Sequence, residues 1–273
     1  MTKKIGDGAA GAATGATDKF EVSQGGATQL YATAAQIKTF CSASPTLVTP
    51  VLGVATGTSY SPIAGTATVA PIVLTAGTNL TTAAAGAAEF DGKVFYATAA
   101  ASSRQVVDTV QFVTAQTVVA LTNNISTVQA VFASANDVLQ LAAATTYIFE
   151  CLYMIDTGAT THTTATSFAA SSAFTSCTYF AELWSTTSGT ISTTAPSVLD
   201  VAVSTATVLN ATSTAPRTTI RCKGIIRTNA ASTVTPQITF SAGPTGTCQT
   251  AVDSFFRIWP KGVNTVVAVG NWA

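Results

Sequence analysis

Apolar residues in this chain recur at every second position, in runs too short for anything but β-strands. Between Thr219 and Arg227, Ile220, Cys222 and Ile226 fall on one face and Arg221, Lys223 and Arg227 on the other. Val234, Pro236, Ile238 and Phe240 alternate with Thr233, Thr235, Gln237 and Thr239. A proline inside that pattern predicts an edge position or a bulge. Ser254-Phe255-Phe256-Arg257-Ile258-Trp259-Pro260 reads as a further strand, ended by Pro260-Lys261-Gly262. Tyr147 to Ile155 is apolar on both faces apart from Glu150, the pattern of a central strand buried on both sides. No long amphipathic helix and no strand–helix alternation is present. These signals predict a mainly β chain whose residues 108–273 form an antiparallel β-sandwich of the jelly-roll kind.

The upstream sequence predicts less regular structure. Gly6 to Gly15 is a Gly/Ala/Thr tract without periodicity, expected to be flexible. Phe20-Glu21-Val22, a Gln24-Gly25-Gly26 turn and Ala27 to Tyr31 predict a hairpin. Thr33 and Gln36 form a capping box, predicting a short helix over 34–40 with Ile37 and Phe40 inward. Residues 1–45 therefore read as a small hairpin–helix module, and 46–107 as a short extended linker or shaft. Within the latter, Pro71-Ile72-Val73-Leu74 predicts a strand. Residues 86–98 predict a hairpin with Asp91-Gly92 as a two-residue turn. Ser126 and Gln129 form a second capping box. With Val128, Val131 and Phe132 at helical spacing, they predict another short helix.

Charge narrows the function classes. Charged residues are 9% of the chain, with 12 Lys and Arg against 12 Asp and Glu, where an average soluble domain has about 25%. Arg217, Arg221, Lys223 and Arg227 lie close together, a thin footprint for a nucleic-acid partner, and none is expected. The surface must be covered by Ala, Thr, Ser and Gly or hidden against partner subunits. Lys38 to Glu89 encloses an uncharged stretch, but Pro45, Pro50, Pro62 and Pro71 interrupt it, so no membrane insertion is expected. Met1-Thr2-Lys3-Lys4 precedes no hydrophobic segment of the kind a secretory signal carries. Cys41, Cys151, Cys177, Cys222 and Cys248 are widely spaced, without CxxC, and read as buried free thiols. Their odd number would leave one out of any full set of disulfides. The N-x-S/T sequons at Asn79, Asn124 and Asn210 are of the kind a Thr- and Ser-rich chain contains by chance.

Candidate chemistry is sparse. His162, the one histidine, lies in a Thr-rich stretch with Asp156 as the nearest acid in sequence, and reads as an exposed loop or strand residue. Glu89 and Asp91 would share a strand face, as a glycosidase pair could. Asp91 is better explained as the turn residue and Glu89 as a cross-strand partner of Lys93. Glu150, in its apolar strand, needs a cation and predicts a structural ion pair with Arg221 or Lys223. Trp184, in a loop-prone stretch, and His162 are the candidates for receptor contact. Trp259 reads as structural. No catalytic residue, cofactor site or metal ligand set is assigned, and the chain is not expected to be an enzyme.

Several segments, taken in order, resemble tailed-bacteriophage tail-fibre and virion appendage proteins. Thr17 to Gly26 with Thr33-Ala34-Ala35-Gln36-Ile37 resembles a module at the start of such proteins. Pro71 to Thr78 and Gly86 to Gly92 resemble a recurrent fibre segment. Gly224-Ile225-Ile226-Arg227, Thr233 to Gln237, Ser254 to Pro260 and Val269-Gly270-Asn271-Trp272 resemble their terminal domain. The resemblance implies a homotrimer on the virion, on tail or capsid surface. Residues 1–45 would anchor it to other phage virion proteins, and the β head would meet a host surface glycan or receptor. The short shaft leaves room for a short tail fibre, a capsid decoration protein or a head fibre. The motifs of depolymerising tailspikes, which would make it a carbohydrate-active enzyme, are not matched.

Overall fold

The computed structural model describes residues 19–22, 30–33, 64–133, 135–158, 160–185, 197–200, 206–209, 217–265 and 268–269. The chain divides into two units, Met1–Pro71 and Ile72–Ala273. In the first, β1 (Lys19–Val22) and β2 (Leu30–Thr33) pair antiparallel, with Phe20 opposite Ala32. The first predicted strand forms; the second is Leu30–Thr33, meeting the expected Ala27 to Tyr31 only at Leu30 and Tyr31, with 27–29 outside the described residues. The helix predicted over 34–40 lies outside the described residues.

The second unit opens with β3 (Ala88–Phe90), β4 (Phe95–Ala100) and β5 (Ser103–Val107), a three-stranded antiparallel sheet. Four short strands follow: β6 (Gln111–Thr114), β7 (Val119–Ala120), β8 (Gln129–Ala130) and β9 (Leu139–Leu141). Then come β10 (Thr145–Asp156), β11 (Thr164–Ala169), β12 (Phe174–Ser185), β13 (Ser197–Asp200) and β14 (Thr207–Val208). The last are β15 (Arg217–Thr228), β16 (Ser232–Phe240), β17 (Gln249–Thr250) and β18 (Phe255–Val263).

These strands build a β-sandwich. One sheet runs β13-β12-β15-β10, with β18 and then β6 beyond β10, and β17 and β7 pairing at the far end of β10. The other holds β14, β11 and β16, with β8 and β9 both on β16. All pairings are antiparallel. From β10 onward the chain passes repeatedly from one sheet to the other, so most contacts are distant in sequence.

Alternation decides which face is buried. On β15, Ile220, Cys222 and Ile226 are buried, and Arg221, Lys223 and Arg227 are exposed. β16 alternates without a break from Ser232 to Phe240. Between the sheets, Phe149 of β10 meets Phe168 of β11 edge-on at 4.8 Å and Phe256 of β18 stacked at 5.6 Å. Tyr179 of β12 meets Phe168 edge-on at 5.2 Å. Four rings from four strands thus fill the centre, in the offset and perpendicular arrangements their quadrupoles favour.

Gly224 stands opposite both Phe149 and Tyr179 in register. A Cβ there would lie 2.4 Å from the Thr178 carbonyl oxygen, 2.5 Å from the Tyr179 Cβ and 2.8 Å from the Phe149 ring. The glycine vacates the inner face so that the two rings can occupy it.

Several local expectations are corrected. Residues 126–132 form no helix, because the Gln129 and Ala130 backbone pairs with Ile238 and Gln237. The Gln129 side chain accepts from the Thr122 amide at 2.6 Å and donates to the Thr122 carbonyl at 3.2 Å instead of capping. Pro71 to Leu74 joins no sheet, and Ile72 and Val73 are exposed. The turn after Phe90 spans Asp91 to Val94, four residues, closed by the stacked rings of Phe90 and Phe95 at 4.4 Å. Glu89 pairs not with Lys93 but with Arg104 at 2.8 Å, while Lys93 donates to the Ala144 carbonyl.

Pro236 is neither at an edge nor in a bulge. It pairs with Phe168 on one side, and on the other it falls in the gap between β9 and β8, where a ladder donor is not required. Pro260 does not end β18. The strand continues to Val263 through a register shift opposite Thr146 and Tyr147. The strand β10 alternates instead of being buried on both sides, so Glu150 and its outward neighbours are half-buried.

Gly224→Ala is expected to lower stability by about 1–3 kcal/mol, the usual cost of forcing atoms into a filled core. A denaturant titration of this variant against the parent protein reads it as a lowered midpoint at similar slope.

Candidate functional site

Because both long sheet neighbours of β10 follow strict alternation, the outward positions of five strands fall into rows. One row runs across all five. Phe180 of β12 stands opposite Lys223 of β15, Lys223 opposite Glu150 of β10, Glu150 opposite Arg257 of β18, and Arg257 opposite Phe112 of β6. The order is aromatic, cation, anion, cation, aromatic. Glu150 closes it, with Lys223 Nζ at 3.1 Å and Arg257 Nε donating to Oε2 at 3.1 Å. Phe112 is 68% exposed at one end.

Neighbouring rows continue the theme. Trp259, opposite Ile148, has Arg257 and Lys261 each 5.7 Å from its ring. Its indole nitrogen is shielded from solvent and has no hydrogen-bond partner among the described residues. Lys261 reaches Asp108, and Arg217 pairs bidentately with Asp156. Arg217, Arg221, Lys223, Arg227, Arg257 and Lys261 all lie on this face, half of the 12 Lys and Arg of the chain. A face of cations interleaved with aromatic rings can hold planar or anionic groups, or a protein surface of complementary charge.

The candidates singled out from sequence divide sharply. The Glu150 ion pair forms with Lys223 as expected, and with Arg257, which was not foreseen. Arg221 is not its partner. It lies one row away, opposite Leu152 and Glu182. Arg257 could have been found, because Glu150 needs a cation and β18 alternates, but the pairing joins residues 107 apart in the chain. Trp184 is on β12 and not in a loop. It is half-buried on this same outward face, opposite Thr219. His162 is 1% exposed, with Nδ1 2.6 Å from the Thr160 carbonyl oxygen and its ring edge-on to Phe240 at 5.2 Å. Burial removes it as a contact for any receptor in this fold.

Among the described residues, no group of three or more His, Cys, Asp and Glu side chains is placed to hold a metal ion. Cys151, Cys222 and Cys248 are buried free thiols, Cys177 is buried as well, and Cys151 stands opposite Cys222. Burial pushes the Cys222 thiol well up, and that of Cys248 to about 11, so neither is poised as a nucleophile. Cys41 lies outside the described residues. No described helix is long and apolar enough to cross a membrane.

The Arg257 hydrogen bond, against partial burial and helped by Lys223, holds the Glu150 carboxyl below the ordinary glutamate range. A lowered folded-state value means that its contribution is present above the unfolded-state value and lost as pH falls through the folded one. Since both cations are largely exposed, the contribution is about 1 kcal/mol or less. Glu150→Gln is therefore expected to lower stability slightly at neutral pH, with the difference disappearing below the glutamate range. Urea midpoints for both proteins from pH 7 downward check it.

No family model matches the chain, and none of the curated proteins matches it. Among solved structures, one described as the structure of infectious bursal disease virus Gt strain matches at 11% identity with a TM-score of 0.18. The match covers 62% of this chain and 48% of that one, so the chain spans about half that protein's length. A TM-score this low carries no argument about fold or role.

Proposed function

We propose that this chain is a structural virion protein of a tailed bacteriophage, a trimeric short tail fibre or appendage. Its C-terminal β head meets the host surface, and residues 1–45 hold it to other virion proteins. One observation carries the reading. Gly224 to Arg227 and Phe255 to Pro260, two segments that resemble phage fibre heads, lie on the strands flanking β10. Their outward side chains supply much of the face of cations and rings, the feature best suited to contact with a partner or a surface. The repeated passage of the chain between two sheets supports a jelly-roll-like head.

A capsid decoration or head-fibre protein is the second reading. It is favoured by the inclusion of 72–107 in the compact second unit, which leaves little chain for a shaft. A carbohydrate-active enzyme is the weakest, because Glu150, Asp156 and Asp108 of this face are engaged by cations instead of facing each other across a cleft.

Light scattering on the purified protein is expected to give three times the 27.6 kDa chain mass, and a monomer mass would overturn the trimer. Deletion of residues 1–40 should abolish incorporation into particles while the head stays folded. Immunogold labelling of particles separates tail from capsid: a few sites at one vertex place the chain on the tail, and many over the shell make it a decoration protein.

A further inference from the structure

We propose that Cys151 and Cys222 join in a cross-strand disulfide that staples β10 to β15 when the chain folds in the presence of a small disulfide oxidant. Both are thiols in the structure, and both are buried, at 2% and 1% exposure. They stand directly opposite each other in an antiparallel ladder that runs from Thr145 with Thr228 to Asp156 with Arg217 without a register shift. Both belong to the inward row Ala181, Cys222, Cys151 and Phe256, taken across four strands. The Cα atoms of opposed residues in such a ladder lie about 4.5 or 5.5 Å apart, according to the type of pair. Both values fall within the span of about 4.4–6.8 Å that a disulfide bridges. A hydrogen bond between the two side chains brings the sulfurs into contact.

The register singles out this pair among the described cysteines. Cys177 stands opposite Ile226, two inward positions along β15 from Cys222. Cys248 precedes Gln249, which pairs with Asp156 at the far end of β10. Each residue along a strand covers about 3.4 Å, so neither comes within the roughly 7 Å Cα separation that bridging to Cys151 or Cys222 requires.

The bond forms by two thiol–disulfide exchanges. In the unfolded chain the thiolate of one cysteine attacks oxidised glutathione, forms a mixed disulfide and releases one glutathione thiolate. As β10 and β15 pair, the thiolate of the other attacks the protein sulfur of that mixed disulfide, forms the Sγ–Sγ bond and releases the second. The two protons pass from the protein thiols to the two glutathione thiolates; the protein is oxidised and glutathione reduced. Both exchanges belong to folding. Once the second sheet covers the pair, burial and then the hydrogen bond to Cys151 hold the Cys222 thiol well above its ordinary range, and little thiolate remains to react. The bond encloses β11 to β14 in a covalent loop, which constrains the unfolded chain and so stabilises the folded one.

The test uses the full-length protein, unfolded in urea with dithiothreitol, freed of the reductant, and refolded either with reduced and oxidised glutathione or with dithiothreitol. Thiols are then blocked with iodoacetamide in denaturant, and a pepsin digest is read by mass spectrometry. Most chains refolded with glutathione are expected to carry a peptide pair joining Cys151 to Cys222, with Cys248 alkylated. Their urea midpoint should exceed that of the protein refolded and measured in dithiothreitol. Cys222→Ala should abolish this difference in midpoint, and Cys248→Ala should keep it. Should Cys222→Ala not fold, the peptide map and the two midpoints of the parent protein decide. The proposal falls if the protein refolded with glutathione carries no Cys151–Cys222 pair, or if the joined protein unfolds at no higher urea than the reduced one.

Discussion

The contact of Phe149 with Phe168, Phe256 and Tyr179 across a glycine is what the sandwich depends on. Each ring comes from a different strand, and Phe168 is contributed by the second sheet. Burying one such side chain stabilises by about 1.5–3 kcal/mol, so the four together rival the net stability of an ordinary domain. Their arrangement also fixes register. A one-residue slip of β15 would replace Gly224 opposite Phe149 with Lys223 or Ile225, and would turn the whole alternating row to the wrong side. The outward charges are ordered because the inward rings are.

A chain so poor in charge still has to satisfy the polar groups its strands enclose, and threonine does this. Thr228, fully buried, donates to the Ala142 carbonyl at 2.7 Å and accepts from the Thr145 amide at 3.3 Å. Thr250, likewise buried, donates to the Val131 carbonyl at 2.6 Å. These hydroxyls hold loop carbonyls that have no ladder partner, where an unmatched group would cost about 1–3 kcal/mol. The threonine content is therefore structural as well as a substitute for surface charge.

What could be read from the sequence was local and periodic. Alternation in β15 and β16 placed each side chain on its correct face, and the sandwich class followed. The capping box at Ser126 and Gln129 misled, because Gln129 found a better partner in the Thr122 backbone and its strand neighbour lies more than a hundred residues away. Glu150 signalled the need for a cation, and Lys223 was within view, but Arg257 required knowing that β18 lies on the other side of β10. His162 was misplaced for the same reason: Phe240, which covers it, is distant in sequence.

The uneven distribution of cations has little consequence for how the molecule moves. A protein with zero formal net charge would ordinarily tumble without preference near a charged boundary. Here half of the positive side chains share one sheet face, but four of the six are paired there with Glu150, Asp156 and Asp108. Their fields close within the face, over distances shorter than the Debye length of about 8 Å at physiological salt, so the face exerts little orienting pull beyond contact range.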